Sequence, residues 1–241
     1  MMYEWMLRSL VHYANTSFSV CIHEDGSFTD RDVRYLEGKY PGIKIWRRKE
    51  ADEKMYIILK DYPALLHYRK CDFWAIKALD VYFLSQAKYM LLVDADVLFF
   101  GQPTELFKDD DKNYWMEDVC YMLGISSEDC ETGLNLEKLK PMNAGLGRVQ
   151  RRVVDLDLAE RFLKIQAQPV NDMIFHAIFA TKYSSITLLN DKYMLKFRQG
   201  VDDIIAKHFV NPIRFWFWEE GVPRLAKSFK IRLHHFLKER L

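Results

Sequence analysis

Asp94 and Asp96, separated by one residue, stand at the end of the most hydrophobic short run in the chain, Tyr89–Val93 (YMLLV), and four further apolar residues follow them. Along an extended segment side chains alternate with period two, so a D-x-D there points both carboxylates the same way. Two like charges between apolar walls raise at least one pKa unless a cation neutralises them. Carboxylate oxygens suit Mg2+ or Mn2+, and Mg2+ in particular is held by one or two carboxylates together with substrate phosphates. The chemistry indicated is a metal–diphosphate site. A second D-x-D, Asp155 and Asp157, precedes a helical pattern and reads as a pair of first-turn acids favoured by the helix dipole.

Such a pair needs a framework that delivers it to a ligand. The YMLLV run lacks alternation, as expected of a strand covered on both faces in a parallel sheet. Upstream, residues 4–14 carry Leu7, Leu10 and Val11 at helical spacing, and residues 18–22 form a short apolar run that ends in the turn Asp25, Gly26, Ser27. Thr29 can cap a helix running through Leu36 and ended by Gly38, after which residues 43–46 read as a second strand. A longer helix is expected over 71–86, carrying Trp74, Leu79 and Phe83. This βαβα order predicts an α/β fold with a mostly parallel central sheet flanked by helices. Ligands of such sheets gather beyond the carboxyl ends of the strands, where Asp94 and Asp96 lie.

The second half is less regular. Residues 109–137 hold nine acids and one lysine, a net of −8, and read as an exposed loop or insertion. Residues 161–166 and 171–180 suggest two more helices. The tail from Pro223 has Leu225, Phe229, Leu233 and Leu237 on one helical stripe, with six Lys/Arg against one Glu.

Composition excludes several classes. With 241 residues, 49% of them hydrophobic and 15% aromatic, the chain can bury a sizeable core and is not a disordered one. A net charge of +1 removes a bulk electrostatic case for nucleic acid. No apolar run reaches the roughly 18 residues of a membrane span, and the first ten residues lack a signal-peptide pattern. The expectation is a soluble cytoplasmic protein. Cys21, Cys71, Cys120 and Cys130 form no CxxC pair and are expected to be small buried residues rather than zinc ligands.

The segment VDADVLFF at 93–100 and its surroundings resemble the GT-A nucleotide-sugar glycosyltransferases, most closely glycosyltransferase family 8, the glycogenin and bacterial lipopolysaccharide galactosyl- and glucosyltransferase group. Residues 91–106 (LLVDADVLFFGQPTEL) match that family's DxD strand and the turn after it. Asn143, Ala144 and Gly145 match its asparagine–small–glycine segment at the donor sugar. Residues 171–175 (NDMIF) match a polar-Asp segment that opens a helix near the reaction centre, and 208–216 (HFVNPIRFW) are similar to a late His-Phe-x-Gly-x-x-Lys-Pro-Trp segment. The resemblance covers roughly residues 70–216.

It implies a Rossmann-like GT-A domain over 1–221, with residues 222–241 as a basic amphipathic helix. It implies Mn2+ (or Mg2+) held by Asp94, Asp96 and His208. The donor, a UDP-sugar by this likeness, would meet Lys77, Ala95, Asn143, Ala144, Gly145 and Arg214, with Asn171 and Asp172 at the reacting carbon. Asp25, in the acidic turn after the first apolar run, is a further candidate for the base or ribose. Arg214 stands where the family has a lysine on the diphosphate; a guanidinium can serve a phosphate there. The chain departs from the family at its start, where a helix stands and the opening strand is expected to be missing or shortened.

The activity implied is hexose transfer from a nucleotide diphosphate sugar to a saccharide, lipid-linked or protein hydroxyl, with retention. Two rivals are a degenerate domain that only binds sugar nucleotide or a partner protein, and a sugar-phosphate nucleotidyltransferase. The latter lacks a glycine-rich basic loop for a triphosphate. The basic tail is expected either to pack its apolar stripe on the domain or to make peripheral contact with anionic lipid.

Overall fold

Residues 2–118, 142–151, 154–165, 175–176, 185–188, 191–195 and 197–229 are described by the computed structural model. The chain opens with α1 (Met2–Ala14), whose Leu7, Leu10 and Ala14 are buried. Then come β1 (Cys21–His23), α2 (Asp30–Lys39) and β2 (Lys44–Trp46), with β1 and β2 paired parallel. The first strand of the chain thus follows α1 and is three residues long. Thr29 and Asp32 form a full capping box on α2. The helix runs through Gly38, and the positive-φ turn falls at Gly42 (φ 83°).

The helix expected over 71–86 forms over residues 74–84, and two helices that were not expected precede it. α3 (Arg48–Leu59) leads to α4 (Pro63–Cys71), and at Asp72 the backbone becomes extended. The Asp72 carboxylate accepts the Trp74 N–H (2.9 Å), the move of a capping residue, and so a new helix starts. That helix contains a wide π turn, Ile76–Asp80, before α5 (Val81–Leu84). From the other side Glu160, buried on the later helix 156–165, accepts the N–H groups of Ala64 and Leu65 and caps α4.

The sheets are mixed rather than mostly parallel. β3 (Tyr89–Val93) ends at Asp94 and β4 (Val97–Phe99) follows at once. β5 (Asn113–Glu117) and β6 (Met142–Gln150) come next, then α6 (Leu156–Ile165) and β7 (Ser185–Thr187). The last strands are β8 (Tyr193–Met194) and β9 (Ala206–His208). One sheet has the order β3-β6-β5-β7 and another β4-β9-β8. β3–β6, β5–β6 and β4–β9 are antiparallel, whereas β5–β7 and β8–β9 are parallel. YMLLV is nonetheless covered on both faces. Met90 and Leu92 enter one apolar cluster with Leu59, Leu79 and Phe162, while Leu91 and Val93 pack on another with Leu10, Phe99 and Leu146. Two covered faces, not a parallel partner, remove the alternation.

Three other expectations change. The acidic segment 109–137 starts as a turn at 109–112 and then enters β5, whose Asn113, Tyr114, Trp115 and Met116 are buried in mid-sheet; residues 119–141 lie outside the described residues. Cys21 and Cys71 are free and exposed, not buried; Cys120 and Cys130 lie outside. Of the tail, residues 222–229 continue one helix that starts at 215, across the boundary expected at 221/222. Leu225 is fully buried, Phe229 stacks on Trp5 (6.2 Å between ring centroids), and Ser228 meets Tyr13 (3.0 Å). The remaining tail, 230–241, lies outside. No helix of the described residues is long and apolar enough to cross a membrane.

Candidate metal and donor site

β3 delivers Asp94 to the sheet edge, where its N–H bonds to the carbonyl of Gly145 on β6 (2.8 Å). The chain does not stay extended through Asp96, as the D-x-D argument assumed. The Val97 N–H closes a tight turn on the Asp94 carbonyl (3.1 Å), with Ala95 exposed at its apex. This turn lets the chain leave one sheet and enter the next as β4. The carboxylates still converge, because β4 pairs with β9 so that Val97 faces His208, and the Phe209 N–H binds the Asp96 carbonyl (2.9 Å).

The result is a triangle of ligand atoms. His208 Nε2 lies 3.0 Å from Asp96 Oδ1 and 3.7 Å from Asp94 Oδ2, and one atom from each residue falls within 4.8 Å of the others. The outer oxygens are taken by cations. Lys77 Nζ, on the π turn, reaches Asp94 Oδ1 (2.7 Å), and the Arg214 guanidinium reaches Asp96 Oδ2 (2.8 and 3.2 Å). Burial of Asp96 opposes its charge, but His208 and Arg214 outweigh it and hold the carboxyl below the ordinary range.

Whether these groups fit a divalent metal can be judged from His208. Its Nδ1 lies 2.9 Å from Asn143 Oδ1, and that same oxygen accepts the Gly145 N–H (2.9 Å). Oriented by a backbone donor, the amide presents its oxygen to Nδ1, so Nδ1 carries a hydrogen and Nε2 is the nitrogen turned to Asp96, where it either donates a proton to the carboxylate or offers a lone pair to a cation. A lone pair and a carboxylate oxygen 3.0 Å apart need a proton or a cation between them. Two carboxylates and one imidazole are a donor set for a divalent cation. An amide oxygen fixing the other ring nitrogen is the usual support of a metal-bound histidine. Gly145 makes room for this: a Cβ there would come within 2.2 Å of the His208 ring and 2.8 Å of Asn143 Oδ1.

Seven of the expected residues thus assemble: Asp94, Asp96, His208, Lys77, Asn143, Gly145 and Arg214. Ala144 has its methyl buried in β6. Asp25 lies in the exposed turn after β1, where its carboxylate accepts the Ser27 N–H (3.0 Å), and among the described residues no contact ties it to the metal cluster. Asn171 and Asp172 lie outside the described residues.

Sequence reasoning passed over the groups that hold these elements. Asp80, at the end of the π turn, is fully buried and makes a two-point ion pair with Arg69 (2.6 and 2.7 Å). Glu24, also buried, gathers the loop after β1 by accepting from Phe28 N–H, Arg48 N–H and Arg47 Nε. An acid in the apolar run AIKALDVYF at 75–83 is the signal that would have found Asp80.

No protein family model and no curated protein sequence matches the chain. Solved structures do. The chain is similar to the galactosyltransferase LgtC in complex with donor and acceptor sugar analogues, with a TM-score of 0.57 and 12% identity over 94% of this chain and 91% of that one. It is also similar to the bifunctional glycosyltransferase WbbM in its apo form, with a TM-score of 0.60 and 10% identity over 93% of this chain and 47% of that one. The fold is that of the GT-A glycosyltransferases. At such identities the likeness is one of fold, and what the chain does must be argued from its own site.

Proposed function

We propose that the chain is a metal-dependent glycosyltransferase that moves a hexose from a UDP-sugar to a hydroxyl acceptor with retention of configuration. The observation that carries this reading is the triangle of Asp94, Asp96 and His208, flanked on its outer oxygens by Lys77 and Arg214. Mn2+ (or Mg2+) bound to the three residues supplies positive charge to a leaving nucleoside diphosphate.

The chain's own groups have distinct tasks. Lys77 pairs with Asp94 and Arg214 with Asp96, so both can turn their charge to a diphosphate held between them. Arg214 offers it a planar fork of donors. Asn143 holds the imidazole of His208 in one tautomer and one orientation. Gly145 makes room for the His208 ring, while the small, exposed Ala95 leaves the turn between the two aspartates open to a donor. Asn171 and Asp172 are assigned to the sugar hydroxyls and the face of the anomeric carbon by the resemblance of their segment alone. The acceptor is a saccharide or a lipid-linked or protein hydroxyl, and the basic tail is assigned to peripheral contact with anionic lipid.

A screen of UDP- and GDP-sugars with Mn2+, repeated with a chelator, tests the proposal. The expected result is nucleotide release from at least one UDP-sugar that stops when the metal is removed. Release of no nucleotide from any donor, or release indifferent to chelation, rejects it.

A further inference from the structure

The helix that carries Lys77 leaves a narrow stripe in water. Trp74 is exposed and Lys77 and Val81 are partly so, at positions i, i+3 and i+7, whereas Ala75, Ile76, Ala78, Leu79 and Asp80 are all buried. The helix descends toward the start of β3, so its first turn stands level with the carboxyl end of that strand. The Lys77–Asp94 contact fixes this level. Trp74 therefore lies one turn N-terminal to Lys77 on the same face of the helix, toward the side of the metal triangle.

Phe73 and Trp74 are 62% and 39% exposed, and their rings touch, with centroids 4.5 Å apart and planes inclined at 34°. The pair is held in place: the Trp74 N–H is bonded to the Asp72 carboxylate, and Ile76 N–H to the Phe73 carbonyl (3.2 Å). Scattered exposed apolar residues are ordinary. Two large rings, adjacent, fixed and set toward the side of a charged site, present a continuous apolar surface to a ligand.

We infer that Phe73 and Trp74 form the platform on which a pyranose ring of the acceptor stacks. This rests on the glycosyltransferase reading above. The charged part of a donor is drawn inward to Lys77, Arg214 and the carboxylate triangle. One turn N-terminal to Lys77, Phe73 and Trp74 carry no charge, and their aromatic faces match the C–H face of a neutral sugar. An indole supplies such a face while the sugar's hydroxyl edge remains free to turn toward the reaction centre. The aromatic pair thereby determines which acceptors are used, without touching the metal or the diphosphate.

The test uses the full chain with UDP and Mn2+. Saturation-transfer NMR is recorded over a panel of methyl pyranosides and lactose for the wild type, Trp74→Ala and Trp74→Phe, with circular dichroism and melting curves to confirm that each is folded. The expected result is that at least one saccharide binds the wild type and loses roughly tenfold in affinity in Trp74→Ala. Trp74→Phe should recover most of it, and UDP affinity should change by less than about twofold. A panel in which no saccharide depends on Trp74 overturns the inference. So does a loss confined to UDP, which would make the platform a nucleobase site. Failure of the underlying reading shows itself separately, as absence of metal-dependent UDP-sugar cleavage by the wild type.

Discussion

Asn143 is the residue whose role changes most between sequence and structure. By resemblance it would grip a donor sugar hydroxyl, yet its side-chain oxygen is already engaged by His208 Nδ1 and the Gly145 N–H. Its task is to aim a metal ligand. Asn143→Ala should keep the fold and weaken Mn2+ binding about 10–100-fold, the usual effect of removing a group that orients a ligating histidine; titration calorimetry reads it directly. Unchanged Mn2+ affinity would return Asn143 to a sugar-binding role. The D-x-D pair and His208 were legible because residue type and order carry that information. The Asn143–His208 hydrogen bond was not, since its partners are 65 residues apart and no local period links them.

Among the elements, α1 does more than precede the fold. β4 is paired with β9 along one edge, and α1 covers the other: the Phe99 N–H bonds to Ser9 Oγ (3.1 Å), which itself donates to the Met6 carbonyl (2.8 Å). The strand that begins one residue after Asp96 is thus held from both sides, and its edge is closed to other strands. Ser9→Ala leaves a buried N–H without its partner and should cost about 1–3 kcal/mol in urea denaturation, with the metal site slackened as well. A loss within error of zero would mean that water satisfies Phe99. Helices α1, α2 and α6 were readable from apolar spacing and caps. α3 and α4 were not, because Tyr56 and Ile57 on α3 remain exposed and blur its amphipathic stripe. The sheet direction escaped for a different reason: a strand with two covered faces reads the same whether its partner is parallel or antiparallel.

At the scale of the whole molecule, near-neutral composition conceals buried ionisable groups that link folding to pH. Burial, with the Arg69 charge adding to it, holds His23 down to about 4. Burial, joined by the Lys77 charge, keeps His176 well below its ordinary value beneath Trp115 and Tyr82. An unfolded chain takes up a proton on each near 6.5, whereas the folded chain refuses the one on His23 until about pH 4. Stability is therefore full above 6.5 and is lost as the pH falls toward 4. Melting temperatures between pH 7 and 4 should decline with acid, and His23→Gln should flatten that decline. A profile with the same slope in both proteins would remove His23 as a source. The terminal helices add a second whole-molecule feature: Phe229 and Trp5 bring the described part of the tail onto α1, behind the strands that carry Asp96 and His208. That docking was one of the two readings of the tail's apolar stripe, and its basic residues beyond 229 lie outside the described part.

The central claim is that Asp94, Asp96 and His208 hold a divalent cation for a nucleoside diphosphate. Calorimetric titration of Mn2+ into the protein, with and without UDP, compares the wild type with Asp94→Asn and Asp96→Asn. The expected result is one Mn2+ per chain, tighter in the presence of UDP, and a loss of at least roughly tenfold in both variants while their circular dichroism is unchanged. Equal Mn2+ affinity in the wild type and the two folded variants would contradict it.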